Sequence, residues 1–281
     1  MSFSEQAEQF ECGGESLVGI AALPTKPNPV GLVTLVGGPQ YRVGSHRQFT
    51  LLCRRVASAG YPAFRFDYRG MGDSSGAYLD FEHVDAEVHA AISRLQAIAP
   101  HTRRVVLWGL CTAASTAMMY AANDPRVAGL VLLNPWVRDE VTSARTQVKH
   151  YYTARIAQRE FWEKIAKGRF DYRHSLGSLT RSLMDSFRTI GGAGNSGDVP
   201  FQTRMAHGLR AFPGRSLLLL SGDDLVAKEF LECISSRPEW HGVLQSPRIT
   251  RRDFPEADHT FSTSVWRNAV EDATIDWLAA V

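Results

Sequence analysis

The chain has 281 residues, 44% hydrophobic and 21% charged, with a formal net charge of +2, enough to bury one large α/β core or a core with an inserted subdomain. Near-neutral charge argues against a dedicated nucleic-acid binder, and the apolar runs are strand-length, with none suited to a membrane span. Cys12, Cys53, Cys111 and Cys233 are far apart with no CxxC pair, so neither a zinc site nor a disulfide framework is expected, and no metal or cofactor is implied.

The N-terminus, Met1 to Glu8, is acidic and lacks the basic and apolar regions of a signal peptide, so a cytoplasmic protein with reduced thiols is the expectation. Phe10 to Leu23 reads as a hairpin around Gly13-Gly14. Val30 to Val36 reads as a buried strand running into Gly37-Gly38-Pro39-Gln40. Glycines directly after a core strand let backbone N–H groups face a ligand, as in an oxyanion hole. Pro39 has no N–H to give, so Gly38 or Gln40 would have to donate. Beyond this turn Arg42, His46 and Arg47 are placed either to receive a carboxylate, phosphate or sugar-linked anion or simply to be solvated.

Gln48 to Ala59 reads as a helix, Ala63 to Asp67 as a short strand, and Tyr68 to Gly76 as a tight loop in which Arg69 and Asp73 act as braces. A helix is expected over Phe81 to Ala97. Val105 to Ser115 then gives an apolar run, Gly109, Cys111 and small residues leading into helix formers. This is the pattern of a nucleophile elbow, with small residues needed at 109 and 113 where strand and helix approach closely. The plainer reading of Cys111 is a small buried hydrophobe.

Val127 to Leu133 reads as a strand ending in Asn134-Pro135-Trp136. Val137 to Leu209 breaks the alternation and reads as a helical cap insertion, with Gly191 to Gly197 a flexible loop inside it. From Arg138 to Arg210 there are 13 Lys and Arg against 7 Asp and Glu. Such a basic segment suits a lid that attracts an anionic substrate, or a solvated helical face. Ser216 to Leu220 restores the sheet and ends in Ser221-Gly222-Asp223-Asp224. Lys228 to Ser235 reads as a helix, Arg248 to Phe254 as a strand, Pro255 to Phe261 as a loop and Trp266 to Ala280 as an amphipathic helix. The expected organisation is a core from residues 1–136 and 211–281 with a cap at 137–210.

Alternating strands and helices imply a mostly parallel sheet whose ligands sit beyond the carboxyl ends of the strands. Gly38, Cys111, Asn134 and the residues after Leu220 occupy such ends. Cys111, Asp224 and His259 follow the nucleophile, acid, histidine order of α/β-hydrolases. His259 would take the thiol proton and later protonate the leaving group or activate water, while the acid fixes its tautomer. Asp224 is preferred because Leu225-Val226 follow it, with Asp223 and Asp258 as neighbouring alternatives. Asn134, at the other acid position of this fold, cannot carry the charge. The Thr112 N–H is an expected oxyanion donor, and Trp136 an expected substrate contact.

The stretches Gly37 to Phe49, Phe66 to Ser74, Leu107 to Cys111, Leu132 to Val137 and Ala257 to Phe261 resemble the exosortase A system-associated hydrolase 1 family, over nearly the whole chain. The resemblance implies an α/β-hydrolase fold in a bacterial cytoplasmic protein that accompanies exopolysaccharide and protein-sorting genes, without naming a substrate. Cys111 stands where the wider superfamily has serine, Ala113 where it has a second elbow glycine, and Val36-Gly37 where His-Gly is usual. Dienelactone hydrolases offer a precedent for the cysteine. A thiol beside histidine at a helix N-terminus is partly thiolate near neutral pH, and its acyl intermediate is a thioester. The expected activity is therefore hydrolysis or transfer of the acyl group of an ester or thioester, on a small-molecule or carrier-linked substrate. The competing class is a non-catalytic binding module for a polysaccharide intermediate or a partner protein. A haloperoxidase-like or epoxide-opening enzyme would call for serine or aspartate at position 111.

Overall fold

Runs of valine and leucine build the centre of the protein, and their burial dictates how the strands are ordered. The computed structural model describes residues 1–38, 40–138 and 199–281. Eight strands are present among them: β1 (Phe3–Cys12), β2 (Glu15–Pro24), β3 (Val30–Leu35), β4 (Ala63–Phe66), β5 (Arg104–Leu110), β6 (Val127–Leu133), β7 (Arg215–Asp223) and β8 (Ile249–Asp258). They form one sheet in the order β1-β2-β4-β3-β5-β6-β7-β8. β1 and β2 are an antiparallel hairpin, β2 is antiparallel to β4, and every pairing from β4 to β8 is parallel. All six residues of β3 and all four of β4 are buried, as parallel strands covered on both faces require. The edge strand β8 is instead mostly exposed.

The described helices are α1 (Gln48–Ser58), α2 (Asp85–Ile98), α3 (Thr112–Tyr120), α4 (Phe201–Ala211), α5 (Leu225–Ser236) and α6 (Ser264–Leu278). α1 meets α6 through Arg55 and Glu271, 3.1 Å apart. α2 begins at Asp85, four residues later than the sequence pattern suggests. Phe81 is held out of the helix by its carbonyl, which accepts from the Thr116 hydroxyl at 2.7 Å, and by its ring, edge-on to Phe201. The Asp80 carboxylate caps the intervening turn through the Glu82 N–H.

The predicted cap lies largely outside the described residues, as does the Gly191 to Gly197 loop. At its far end, α4 buries Met205 and Ala206 completely, and Gly208 lies so close to α3 that a Cβ there would come within 2.2 Å of the Met118 carbonyl. No helix among the described residues is long and apolar enough to cross a membrane.

β8 runs four residues past Phe254, to Asp258. It stays paired with β7 across an irregularity between Ser221 and Asp223, which brings Asp223 opposite Asp258. That register sets the next residue of each strand, Asp224 and His259, side by side at the carboxyl end of the sheet. It is the step that turns two distant sequence positions into neighbours.

Candidate active site

Cys111 is the hinge between β5 and α3. Its backbone sits at φ 62°, ψ −125°, a region costly for a side-chain-bearing residue and often found at functional sites. The turn is possible because Gly109 carries no side chain: a Cβ there would lie 2.5 Å from the Ala113 carbonyl carbon. The Cys111 N–H is tied to the Leu133 carbonyl at 2.9 Å, and its own carbonyl receives the Ala114 N–H at 3.0 Å. The thiol is therefore presented by a fixed backbone at the N-terminus of α3. Cys111 is partly exposed, whereas Cys12, Cys53 and Cys233 are buried. Burial pushes the Cys53 thiol up to about 12, as expected for an inert core cysteine.

His259 Nδ1 lies 2.8 Å from Asp224 Oδ2, and the Cys111 side chain is close enough to act on the same imidazole. With Nδ1 taken by the carboxylate, Nε2 is the nitrogen left to face sulfur. Burial alone would depress the imidazole, but the hydrogen bonds to Asp224 and Cys111, with the charges they carry, raise it to about 10. Asp224 is buried and caps α5, accepting from the Val226 and Ala227 N–H groups at 3.0 and 3.2 Å. One residue thus anchors a helix and orients the histidine.

The two alternative acids are placed otherwise. Asp223 is exposed. Asp258 accepts from the Thr260 and Ser262 N–H groups at 3.1 and 3.0 Å and from the Ser262 hydroxyl. Burial opposes its ionisation, yet these bonds hold the carboxyl below its ordinary range. Asp258 braces the loop that carries His259.

The oxyanion side departs from the sequence expectation. The Gly38 N–H donates to Thr112 Oγ1 at 2.9 Å, and the Gln40 N–H turns back onto the Gly38 carbonyl at 2.8 Å. Both expected loop donors are therefore engaged; Pro39 lies outside the described residues. The Thr112 N–H, at the first position of α3, has no intrahelical acceptor.

Arg42 does not serve an incoming anion either. Its guanidinium bonds Asp67 and Asp73, the latter at 2.7 Å, and its N–H donates to Asp67 Oδ1 at 2.7 Å. Asp67 is fully buried, and Gly72 leaves room for its carboxylate, since a Cβ there would lie 2.2 Å from Oδ2. Arg42 is a brace between the loops after β3 and β4, compensated by two carboxylates. Asp73 braces the loop as expected, and Arg69 does so by pairing with Glu87 of α2. His46 and Arg47 are exposed, both with left-handed backbone, and His46 is near enough to Asp258 to help hold its charge. Trp136 is stitched to the elbow by its main chain: its N–H reaches the Cys111 carbonyl at 3.3 Å, and its carbonyl accepts from the Ser115 hydroxyl at 2.6 Å. The Arg138 guanidinium stands 4.9 Å over the Trp136 ring and is held by Glu229.

In the sequence Asn134 stands only as the uncharged residue at the other acid position of the fold. In the structure its carboxamide bonds Ser221 and the His259 carbonyl. No periodicity or motif announces such a contact across 125 residues of chain. Among the described residues no group of three or more histidine, cysteine, aspartate or glutamate side chains is arranged to hold a metal ion.

A model of the Alpha/beta hydrolase family matches residues 32–273. The quorum-quenching protein AidA of Acinetobacter baumannii (strain MDR-ZJ06) is 34% identical over 95 residues, 32% of this chain and 31% of that protein; the match thus spans about a third of that relative's length. Among solved structures, the esterase Pf2001 of Pyrococcus furiosus superposes with a TM-score of 0.66 at 14% identity, over 99% of this chain and 93% of that one. A dienelactone hydrolase from Anabaena variabilis gives 0.61 at 14% identity, over 100% and 99%. XC6422 of Xanthomonas campestris, described as an α/β serine hydrolase without lid, gives 0.56 at 14% identity, over 99% and 96%. At these identities the likeness is one of fold.

Proposed function

The chain belongs to the alpha/beta hydrolase family, and from that premise we propose that it is a cysteine-nucleophile acyl hydrolase or acyltransferase acting on an ester or thioester. The observation that carries this reading is the position of His259, bonded to Asp224 at 2.8 Å and close enough to the Cys111 side chain for it to raise the same imidazole. An imidazole raised to about 10 keeps its proton at neutral pH, and a protonated imidazole is the neighbour beside which cysteine nucleophiles act as thiolates.

In the proposed reaction the thiolate attacks the acyl carbon, the S–C bond forms, and the carbonyl electron pair moves onto oxygen, where the Thr112 N–H receives it. Collapse of this intermediate expels the alcohol or thiol, which takes the proton from His259 Nε2. The neutral imidazole then deprotonates water or an acceptor hydroxyl, which attacks the thioester and returns the thiolate and imidazolium. Asp224 keeps the ring in one tautomer throughout. Trp136, beside the elbow, and the exposed His46 and Arg47 suit a wall and a rim for the acyl substrate. A basic insertion and Arg47 favour an anionic, small or carrier-linked acyl donor. The resemblance to the exosortase-associated hydrolases supports a cytoplasmic role beside bacterial exopolysaccharide and protein-sorting systems.

Intact-protein mass spectrometry after incubation with acyl thioesters and activated esters tests the reading. The expected result is a single acyl adduct on the parent and on His259→Ala under slow turnover, and none on Cys111→Ala. An adduct that persists on Cys111→Ala overturns the nucleophile assignment. No adduct and no turnover with any donor would favour a binding module instead.

A further inference from the structure

Asn134 ends β6 fully buried and with φ 41°, in the left-handed region that asparagine tolerates better than most residues. Its N–H donates to the Leu219 carbonyl at 3.2 Å. Its Oδ1 accepts the Ser221 N–H at 2.9 Å. A backbone N–H can only donate, so the amide orientation is fixed, and Nδ2 faces two acceptors: Ser221 Oγ at 2.9 Å and the His259 carbonyl at 3.0 Å. Ser221 Oγ in turn donates to the Asp258 carbonyl at 2.8 Å. Two consecutive carbonyls of the histidine loop are thus pinned to the ends of β6 and β7.

We propose that Asn134 is a positioning residue: with Ser221 it clamps the main chain of Asp258 and His259 so that the imidazole, tied at Nδ1 to Asp224, is aimed at Cys111. Without the clamp the His259 carbonyl loses its partner, and the ring depends on Asp224 and on the Asp258 brace alone. The geometry also accounts for the neutral residue at this acid position of the fold. An aspartate of the same size would have no hydrogen for the His259 carbonyl, and its oxygens would confront that carbonyl across a buried gap. The inference rests on the Cys111–His259 reading above. The titratable groups that face the loop are Asp224 before α5, Cys111 on the elbow and Asp223 opposite Asp258, with His46 near enough to act on the Asp258 carboxylate; none is altered by changing Asn134.

The test is the pH dependence of Cys111 alkylation by iodoacetamide, followed by peptide mapping in the full chain, for the parent, Asn134→Ala, Ser221→Ala and His259→Ala. The expected result is a midpoint in Asn134→Ala that moves up toward that of His259→Ala. Alkylation at neutral pH and kcat on p-nitrophenyl acetate should both fall by about tenfold to a hundredfold, the size of a misplaced catalytic group, with KM little changed. A midpoint that stays with the parent, while His259→Ala shifts, overturns the clamp and leaves the Cys111–His259 pair intact. If His259→Ala itself tracks the parent, the pair is overturned, and the clamp with it. Should Asn134→Ala fail to fold, Ser221→Ala decides. Loss of its hydroxyl releases the Asp258 carbonyl, so an upward midpoint supports the clamp and an unmoved one overturns it.

Discussion

Asp224 Oδ2 lies 2.8 Å from His259 Nδ1 while the same carboxylate accepts the Val226 and Ala227 N–H groups of α5. The acid is therefore immobilised by a helix terminus before it meets the histidine. Asp224→Asn keeps the shape and most of the cap but loses the charge and presents the wrong hydrogen-bonding partner to Nδ1. The expected outcome is a kcat loss of roughly 10⁴-fold, as for the same exchange in a serine protease triad, with the folded structure retained by circular dichroism. His259 should titrate well below its present value of about 10, observable by NMR of the imidazole. The sign for stability follows: a folded-state value raised above 6.5 stabilises fully below that pH and is lost as pH rises through 10. Asp224→Asn should flatten that alkaline fall in Tm.

Cys111→Ser separates sulfur chemistry from fold. The backbone at φ 62° is imposed by the ties to Leu133 and Ala114, which do not involve the side chain, so stability should change by less than about 0.5 kcal/mol. A serine hydroxyl is not held as an anion by the imidazolium and must lose its proton as it attacks. Thioester turnover is expected to fall by about 10²-fold or more, the scale of an added general-base requirement. Stopped-flow acylation measures it, and an unchanged acylation rate would remove the thiolate from the mechanism.

Much of this site was legible in the sequence, for reasons that differ residue by residue. The elbow at Cys111 could be read because a buried strand, a glycine and a helix start are all local signals. Asp224 and His259 could be ordered along the chain, but their adjacency depends on the Asp223–Asp258 register of β7 and β8, which no local pattern encodes. The fate of Arg42 was hidden for the same reason: its partners Asp67 and Asp73 lie on the following βα loop, and an arginine awaiting substrate has the same sequence as one already paired. The engagement of the Gly38 N–H by Thr112 likewise depends on two loops meeting across 74 residues.

Arg42 and Arg47 therefore make opposite predictions. Arg42→Ala leaves the fully buried Asp67 carboxylate without its cation, and removal of one partner from a buried pair costs about 3–5 kcal/mol; the backbone N–H groups of Arg42 and Asp73 that remain on Asp67 place the expected loss near the lower end. Denaturant melts measure it. Arg47 is exposed, so Arg47→Glu should leave stability unchanged within about 0.5 kcal/mol and raise KM for anionic acyl donors relative to neutral ones. An unchanged ratio of the two KM values would exclude Arg47 from anion recognition.

Acid stability has a separate source. Burial opposes ionisation of Asp124, but bonds from the Arg126 guanidinium and the Tyr120 hydroxyl overcome it and lower the carboxyl to about 2 from 3.8. A folded-state value below the unfolded one stabilises above pH 3.8 and is lost as pH falls through 2. Asp124→Asn should lower Tm at neutral pH and remove part of the Tm decline between those two pH values. A variant whose decline is as steep as the parent's would place acid sensitivity elsewhere.

Gly109 and Ala113 are the two small positions of the elbow, yet only one of them tolerates a methyl group. At Gly109 a Cβ would stand 2.5 Å from the Ala113 carbonyl carbon and 2.6 Å from its oxygen. Both are backbone atoms that move only if α3 moves. The Ala113 Cβ, by contrast, is already accommodated in the core, with 1% of the residue exposed. Gly109→Ala must therefore push the N-terminus of α3 away from β5, carrying Cys111 and the Thr112 N–H with it. Overpacking of this kind costs about 1–3 kcal/mol, and a displacement near 1 Å at the reacting atom costs roughly 10²-fold in rate. The expected variant is folded, with a modestly lowered Tm and a kcat loss much larger than the stability loss would suggest. Equal kcat in Gly109→Ala and the parent would show that the strand-to-helix contact does not position the nucleophile.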